Sequence, residues 1–244
     1  MTDGFIDLHA HILPEMDDGA VTLEESLDMA ALAASRGTAV IACTSHANGP
    51  RAFGGFTAED FICSCEDLQW ELDQAHIPIR LVPGMEIYAE PDTLDRIRAG
   101  ELIPLGESSY YLIEFPFDET VQTMTDTVTK IREEGYRVIV AHPERYYCIQ
   151  ADPEIAKDLI QAGALLQCNG KSLLGQFGRT AERASVRMLT DGMYTCIGSD
   201  AHGMRRRSTD LSGVYRYLVK QCGVDAADRL MKENPTKILN GGII

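Results

Sequence analysis

Short apolar runs alternate along this chain with longer stretches whose apolar residues recur every three or four positions, the respective patterns of buried strands and amphipathic helices. The first run, at 5–9, reads as a strand. Thr22 then opens a helix, with Glu25 at capping-box spacing. Leu27, Ala30, Ala31 and Ala34 form its apolar face, and Gly37 ends it. Small and β-branched residues at 38–44 make a second strand, and 57–76 a second helix in which Thr57 and Asp60 repeat the capping-box spacing. Further strands fit at 79–83, 110–114, 136–141, 164–168 and 194–198. Further helices fit at 91–98, 119–134, 153–161, 180–190, 209–221 and 226–232. Asp152-Pro153 supplies an N-cap followed by a first-turn proline, while Gly135 and Gly163 supply stops.

About seven β/α units in series imply parallel strands covered by helices. The expected fold class is α/β, with a closed barrel as first choice and a doubly wound open sheet as second. No internal repeat, low-complexity tract or Pro/Ser-rich linker divides the chain, so residues 1–244 are expected to form one domain.

Composition adds exclusions. No stretch approaches the roughly 18 apolar residues of a membrane span, and MTDGFIDLHAH lacks the basic and apolar regions of a signal peptide. A cytoplasmic location without membrane insertion is expected. The seven cysteines are odd in number and scattered, with Cys63 and Cys65 spaced C-x-C; reduced, mostly buried thiols fit better than a disulfide framework. A formal net charge of −15 argues against nonspecific nucleic-acid binding. It leaves room for a phosphate pocket, because local cations can reverse the sign of a site.

Candidate chemistry gathers at the predicted strand ends. Five of the six histidines lie there: His9 and His11 after the first strand, His46 in TSH, His142 in AHPER and His202 in SDAH. Glu86 and Glu114 occupy comparable positions, in LVPGME and YYLIE. The C-terminal ends of parallel strands are where β/α barrels assemble their active sites. In extended chain, residues two apart point to one side, so His9 and His11 can reach one cation together, as can Asp200 and His202. Asp7 shares the parity of His9 and is either a partner fixing an imidazole tautomer or an ordinary hydrogen-bonded residue. Any one such histidine alone is more simply a satisfied polar residue. Converging carboxylates are different, since they repel one another strongly unless cations lie between them. His76, at a helix end before Ile77-Pro78, reads as structural.

With these segments in view, FIDLHAHILPEMDDGA, ACTSHANG, LVPGMEIYAEPD, YLIEFPF, VIVAHPERY and IGSDAHGMRRR resemble the polymerase and histidinol phosphatase (PHP) family. More narrowly, they are similar to the manganese-dependent protein-tyrosine phosphatases of bacterial capsule and exopolysaccharide loci. The similarity runs from Phe5 to the closing ENPTKIL. It implies a distorted (β/α)7 TIM-like barrel, the PHP fold, holding three divalent ions. His9, His11, Glu86 and Asp200 would hold one ion. Glu86 would bridge to a second, held also by Glu114 and His142. Asp18, His46 and His202 would hold the third. Manganese (Mn2+) is the expected metal, although iron and zinc suit the same nitrogen and oxygen donors. Arg145 in HPER and Arg207 in the RRR run match arginines the family uses on substrate phosphate, with Arg205 and Arg206 close enough to leave that register open. The loop after His46, ANGPRAFGGF, departs from the adjacent basic residues of the capsule phosphatases, with Arg51 as a candidate substitute.

The resemblance implies hydrolysis of phosphotyrosine by a metal-activated hydroxide attacking in line. It also implies a protein partner, the tyrosine-rich tail of a bacterial tyrosine kinase governing polysaccharide export. A cysteine phosphatase would need Cys-x5-Arg, and no cysteine here has arginine six residues on. No Asp-x-Asp nucleophile motif occurs either. The alternatives are a histidinol-phosphate or other small-phosphomonoester phosphatase and, in another class, a non-catalytic phosphotyrosine-binding regulator.

Overall fold

The computed structural model describes residues 4–50, 52 and 55–244; Arg51 lies outside them. The fold is α/β with parallel strands throughout. In chain order the elements are β1 (Phe5–Ala10), α1 (Leu23–Ser35), β2 (Thr38–Cys43), β3 (His46–Ala47), α2 (Ala58–Gln74), β4 (Arg80–Pro83), β5 (Glu86–Tyr88), α3 (Thr93–Arg98), β6 (Tyr110–Glu114), α4 (Val121–Glu133) and β7 (Arg137–Ala141). There follow α5 (Tyr147–Ala151), α6 (Ala156–Gln161), β8 (Leu165–Asn169), α7 (Arg179–Thr190), β9 (Cys196–Gly198), α8 (Ser212–Cys222), α9 (Val224–Asp228) and α10 (Asn234–Leu239). None of these helices is long and apolar enough to cross a membrane.

The strands form two sheets of sequential order, β1-β2-β4 and β3-β5-β6-β7-β8-β9. Such an order, without a reversal, is not that of a doubly wound sheet. The strands expected at 38–44 and 79–83 appear as β2 and β4, and each is followed after a two-residue break by a short further strand absent from the expectation, β3 starting at His46 and β5 at Glu86. The sheet is curled: Ala10 bridges Ala201 in parallel, His11 N–H donates to the Ala201 carbonyl at 2.9 Å, and Asp200 N–H donates to the His9 carbonyl at 2.8 Å. These bonds bring the end of the first strand against the segment leaving the last.

Local chemistry explains most of the elements. Thr57 and Asp60 form the reciprocal capping box at the start of α2. At α1 Thr22 accepts from Glu25 N–H, but the Glu25 carboxylate reaches Val21 N–H, one residue earlier than a capping box requires. The expected helix at 209–221 starts later, at Ser212, because the buried Thr209 hydroxyl donates to the Met29 carbonyl instead. The short α5, within the AHPERYYC segment, has no counterpart in the sequence expectation. His76 adopts φ 54° beyond the end of α2, a left-handed helix stop that accords with a structural role.

Burial on both sides of the sheet explains the near-continuous apolar runs. Alternate residues divide between two buried clusters, Ile139 and Ala141 in one, Val138 and Val140 in the other. All seven cysteines are free; the sulfurs that approach are Cys43 and Cys65, at 3.7 Å, rather than the C-x-C pair.

Tyr146 ties two strand ends together. It is fully buried, accepts from Phe115 N–H at 3.1 Å and donates to the Ala141 carbonyl at 2.9 Å, beside Glu114 and His142. Replacing Tyr146 with Phe orphans both buried backbone groups, so urea unfolding should show a loss of about 1–3 kcal/mol. An unchanged midpoint would mean that these bonds contribute nothing net.

Candidate metal centre

Eight side chains converge at the strand termini, and Asp18 joins them from the loop after β1. His9 lies in the β1 irregularity between Asp7 and Ala10 and His11 follows the strand, while His46 opens β3, Glu86 opens β5 and Glu114 closes β6. His142 follows β7, while Asp200 and His202 follow β9. Breaking the second and third strands places His46 and Glu86 opposite each other in the β3–β5 ladder. Glycine makes the closeness possible: a Cβ at Gly198 would stand 2.7 Å from that of His9, and one at Gly19 would stand 2.3 Å from the His11 carbonyl oxygen.

Three groups of donor atoms form, each within a 4.8 Å span. They are His9, His11, Glu86 and Asp200; His46, Glu86 and Glu114; and His11, Asp18, His46 and His202. The first is the set implied by the resemblance. In the second, His46 stands where His142 was expected, though His142 Nε2 lies 2.8 Å from Glu86 Oε1 and 3.6 Å from Glu114 Oε1. The third adds His11 to the expected set. Glu86 sits at the middle, with Oε1 3.2 Å from His9 Nε2 and Oε2 3.1 Å from both His11 Nε2 and His46 Nδ1. Asp18 is the outlier in burial, with 45% of its side chain exposed against 1% for Glu86, Glu114 and Asp200. The third group therefore opens to solvent.

This donor set suits divalent cations. Burying three carboxylates costs several kcal/mol per charge unless cations lie beside them. Among the described residues the cationic groups nearby are the histidines themselves, Arg145, Arg207 and the buried Lys171. His142 Nδ1 is buried with no hydrogen-bond partner among the described residues. Protons otherwise carry the compensating charge. Burial disfavours the His11 imidazolium, yet Asp17 and Glu86 hold its pKa up at about 10. His9 is raised likewise against burial, by Glu86 and Asp200. Burial dominates at His46 and His142, which are both pushed down to about 4.

Two guanidiniums reach the same centre. Arg145 Nη1 donates to Asp200 Oδ2 at 2.8 Å, and Arg207 donates through Nη2 to Asp200 Oδ1 and through Nε to the Asp200 carbonyl. Arg207 is thus the member of the RRR run that touches the cluster. Arg145 also lies between two aromatic rings, 4.8 Å from the Phe117 centroid and 4.6 Å from that of Phe177. Backbone strain concentrates here. His142 (φ 34°) and Asp200 (φ 50°) both adopt left-handed conformations, at a cost of roughly 1–3 kcal/mol each.

Three supporting residues escaped the sequence reading. Asp17, the first Asp of DDG, is buried; its carboxylate lies 2.6 Å from His11 Nδ1 and accepts from His46 N–H at 2.7 Å and Gly19 N–H at 2.9 Å. Gln167 Oε1 lies 3.0 Å from His9 Nδ1, and Asn169 Nδ2 donates to Asp200 Oδ2 at 2.7 Å. Gln167 and Asn169 stand two apart at the end of β8, the same spacing as H-x-H, which was the available signal. Asp7, by contrast, accepts from the backbone N–H groups of His9 and Ser199. It is the hydrogen-bonded residue of the two alternatives, and Gln167 takes the place beside the His9 imidazole.

Residues 5–240 match the family model described as capsular polysaccharide synthesis, CpsB/CapC. The chain is 30% identical over 241 residues to the tyrosine-protein phosphatase YwqE of Bacillus subtilis, an alignment covering 98% of this chain and 93% of that one. It is 28% identical over 246 residues to the tyrosine-protein phosphatase CpsB of Streptococcus agalactiae, covering 98% and 100%. A chain from the crystal structures of YwqE from Bacillus subtilis and CpsB from Streptococcus pneumoniae, described as unique metal-dependent tyrosine phosphatases, superposes with a TM-score of 0.92 at 30% identity, covering 98% of this chain and 96% of that one.

Asp17 contacts the imidazole edge of His11 and the backbone of His46, so it orients two candidate ligands. Asp17→Asn should weaken metal affinity about 10–100-fold while leaving the far-ultraviolet circular dichroism unchanged. Competition with a chromophoric chelator measures it; an unaltered affinity would remove Asp17 from that role.

Proposed function

The chain belongs to the CpsB/CapC family of capsular polysaccharide synthesis, and on that premise we propose that it is a metal-dependent protein-tyrosine phosphatase. We take residues 1–244 as one catalytic domain. We also take the seven strand positions, two of them broken, as a distorted (β/α)7 barrel of the PHP type. In this proposal the nine side chains His9, His11, Asp18, His46, Glu86, Glu114, His142, Asp200 and His202 hold three Mn2+ ions. The substrate is a phosphotyrosine protein, the tyrosine-rich tail of a bacterial tyrosine kinase, met in the cytoplasm.

Asp200 carries the argument. One of its carboxylate oxygens lies 3.5 Å from His9 Nε2 and 3.6 Å from His11 Nε2, while Arg145 and Arg207 both donate to the same group. Metal-type donors and guanidinium forks therefore meet on a single side chain. An anion with several oxygens suits that junction, because guanidinium can grip two phosphoryl oxygens at once. Divalent cations bound here would polarise the phosphoryl oxygens and lower the pKa of a water nucleophile. The protein itself supplies positioning and charge. Arg145 and Arg207 hold equatorial phosphoryl oxygens and offset charge as the bond to the leaving group lengthens. Phe117 and Phe177 restrict the Arg145 guanidinium from either side. A phenolate leaves readily, so the site has little need of a strong general acid.

A strong chelator should abolish hydrolysis of a phosphotyrosyl peptide, and added Mn2+ should restore it. Arg145→Ala should lower kcat/KM by about 10²–10³ in the metal-loaded protein without changing metal content. Full activity in metal-free protein would defeat the proposal. Faster turnover of histidinol phosphate than of phosphotyrosyl peptide would move the substrate to the small-phosphoester class.

A further inference from the structure

Beside the candidate centre lies a cleft of about 420 Å³ lined by Gln176, Phe177, Arg205, Arg206 and Arg207. Arg207 is committed to Asp200. Arg205 and Arg206 are exposed, and neither has a carboxylate partner among the described residues. Two adjacent guanidiniums without an ion pair gather positive charge at this cleft on a chain of net charge −15, which favours an anionic occupant. Their loop is ordered from within, His202 N–H donating to the Arg207 carbonyl at 2.8 Å, so one hydrogen bond joins it to a candidate metal ligand. Phe177 forms the wall shared with the centre, since its ring lies 4.6 Å from the Arg145 guanidinium and 5.9 Å from that of Arg207. A peptide whose phosphotyrosine is held by Arg145 and Arg207 therefore has a neighbouring residue within reach of Arg205 and Arg206.

We propose that this cleft is a second anion subsite, which takes a phosphoryl group carried on a residue near the scissile phosphotyrosine, so that doubly phosphorylated peptides are the preferred substrates. The proposal rests on the phosphatase function above. Two guanidinium forks side by side match a phosphoryl dianion with three terminal oxygens; a carboxylate offers two oxygens and satisfies one fork. The subsite lies outside the hydrolytic chemistry, since neither Arg205 nor Arg206 forms an ion pair with the clustered carboxylates, whereas Arg145 and Arg207 do.

The test uses the full chain loaded with Mn2+ and three matched series of peptides. One series carries a single phosphotyrosine, one a second phosphotyrosine at successive positions on either side, and one glutamate at those positions. At the best spacing the second phosphoryl group should lower KM roughly tenfold with kcat unchanged, an advantage that fades as salt rises. In the double variant Arg205→Ala/Arg206→Ala that advantage should disappear, while p-nitrophenyl phosphate and the singly phosphorylated peptide turn over as in the parent. The subsite is overturned if no spacing improves on the singly phosphorylated peptide, or if the advantage survives in the double variant. An equal gain from glutamate overturns its assignment to phosphoryl groups. Failure of the parent to hydrolyse p-nitrophenyl phosphate and every phosphotyrosyl peptide would instead overturn the phosphatase function, and the subsite with it.

Discussion

Three carboxylates held together out of water are the constraint to which the rest of the structure answers. Glu86, Glu114 and Asp200 are each 1% exposed, and five imidazoles crowd around them. Like charges so placed repel, and desolvation adds several kcal/mol for each ion. Such a cluster persists because every carboxylate faces something cationic or able to become so. His9 and His11 keep raised pKa values against the effect of burial, and Asp200 is held well below the usual carboxylate range, despite burial, by Arg207, His9, His202 and Arg145. Divalent cations meet the same demand more fully than protons do, because each brings two charges to a space that several donors share.

That demand explains features of the fold that look like defects in isolation. The strands carrying His46 and Glu86 break just before these residues, which lets both side chains turn to the common centre while the ladder resumes with the pair itself. His142 and Asp200 accept left-handed backbone angles, uncommon outside glycine although Asp and His tolerate them better than most residues. Strain of this kind is tolerated where surrounding bonds over-determine the geometry. Asp200 is held in that way by Arg145, Asn169 and Arg207 through its side chain and by the His9 carbonyl through its N–H. Asp17 and Gln167 do the same service for the imidazoles of His11 and His9.

The two arginines at Asp200 join this buried cluster to the rim. On one side Arg145 rests between Phe117 and Phe177; on the other Arg207 belongs to a run that continues into solvent. Positive charge is thus gathered beside the opening of a strongly acidic chain. An anionic substrate meets local attraction there although the net charge is repulsive overall.

Much of this was legible in the residues themselves. Helix starts at Thr22 and Thr57, the parallel β/α order and the strand-end placement of five histidines follow from local spacing, which depends only on backbone geometry. Membership of the family was legible too, because long motifs such as VIVAHPERY and IGSDAHGMRRR carry several chemical requirements at once. Tertiary structure alone decided which carboxylate contacts which imidazole. Asp7 and Asp17 have equal claims by type, yet Asp7 turned to the backbone and Asp17 to His11, according to where Ser199 and Gly19 lie. Only the folded chain distinguishes Arg207 from Arg205 and Arg206, or shows Phe177 standing against Arg145 from more than 30 residues away in sequence. Sequence spacing reports neighbours along an element; long-range partners depend on how elements close on one another, and at this centre that closure matches donors to acceptors.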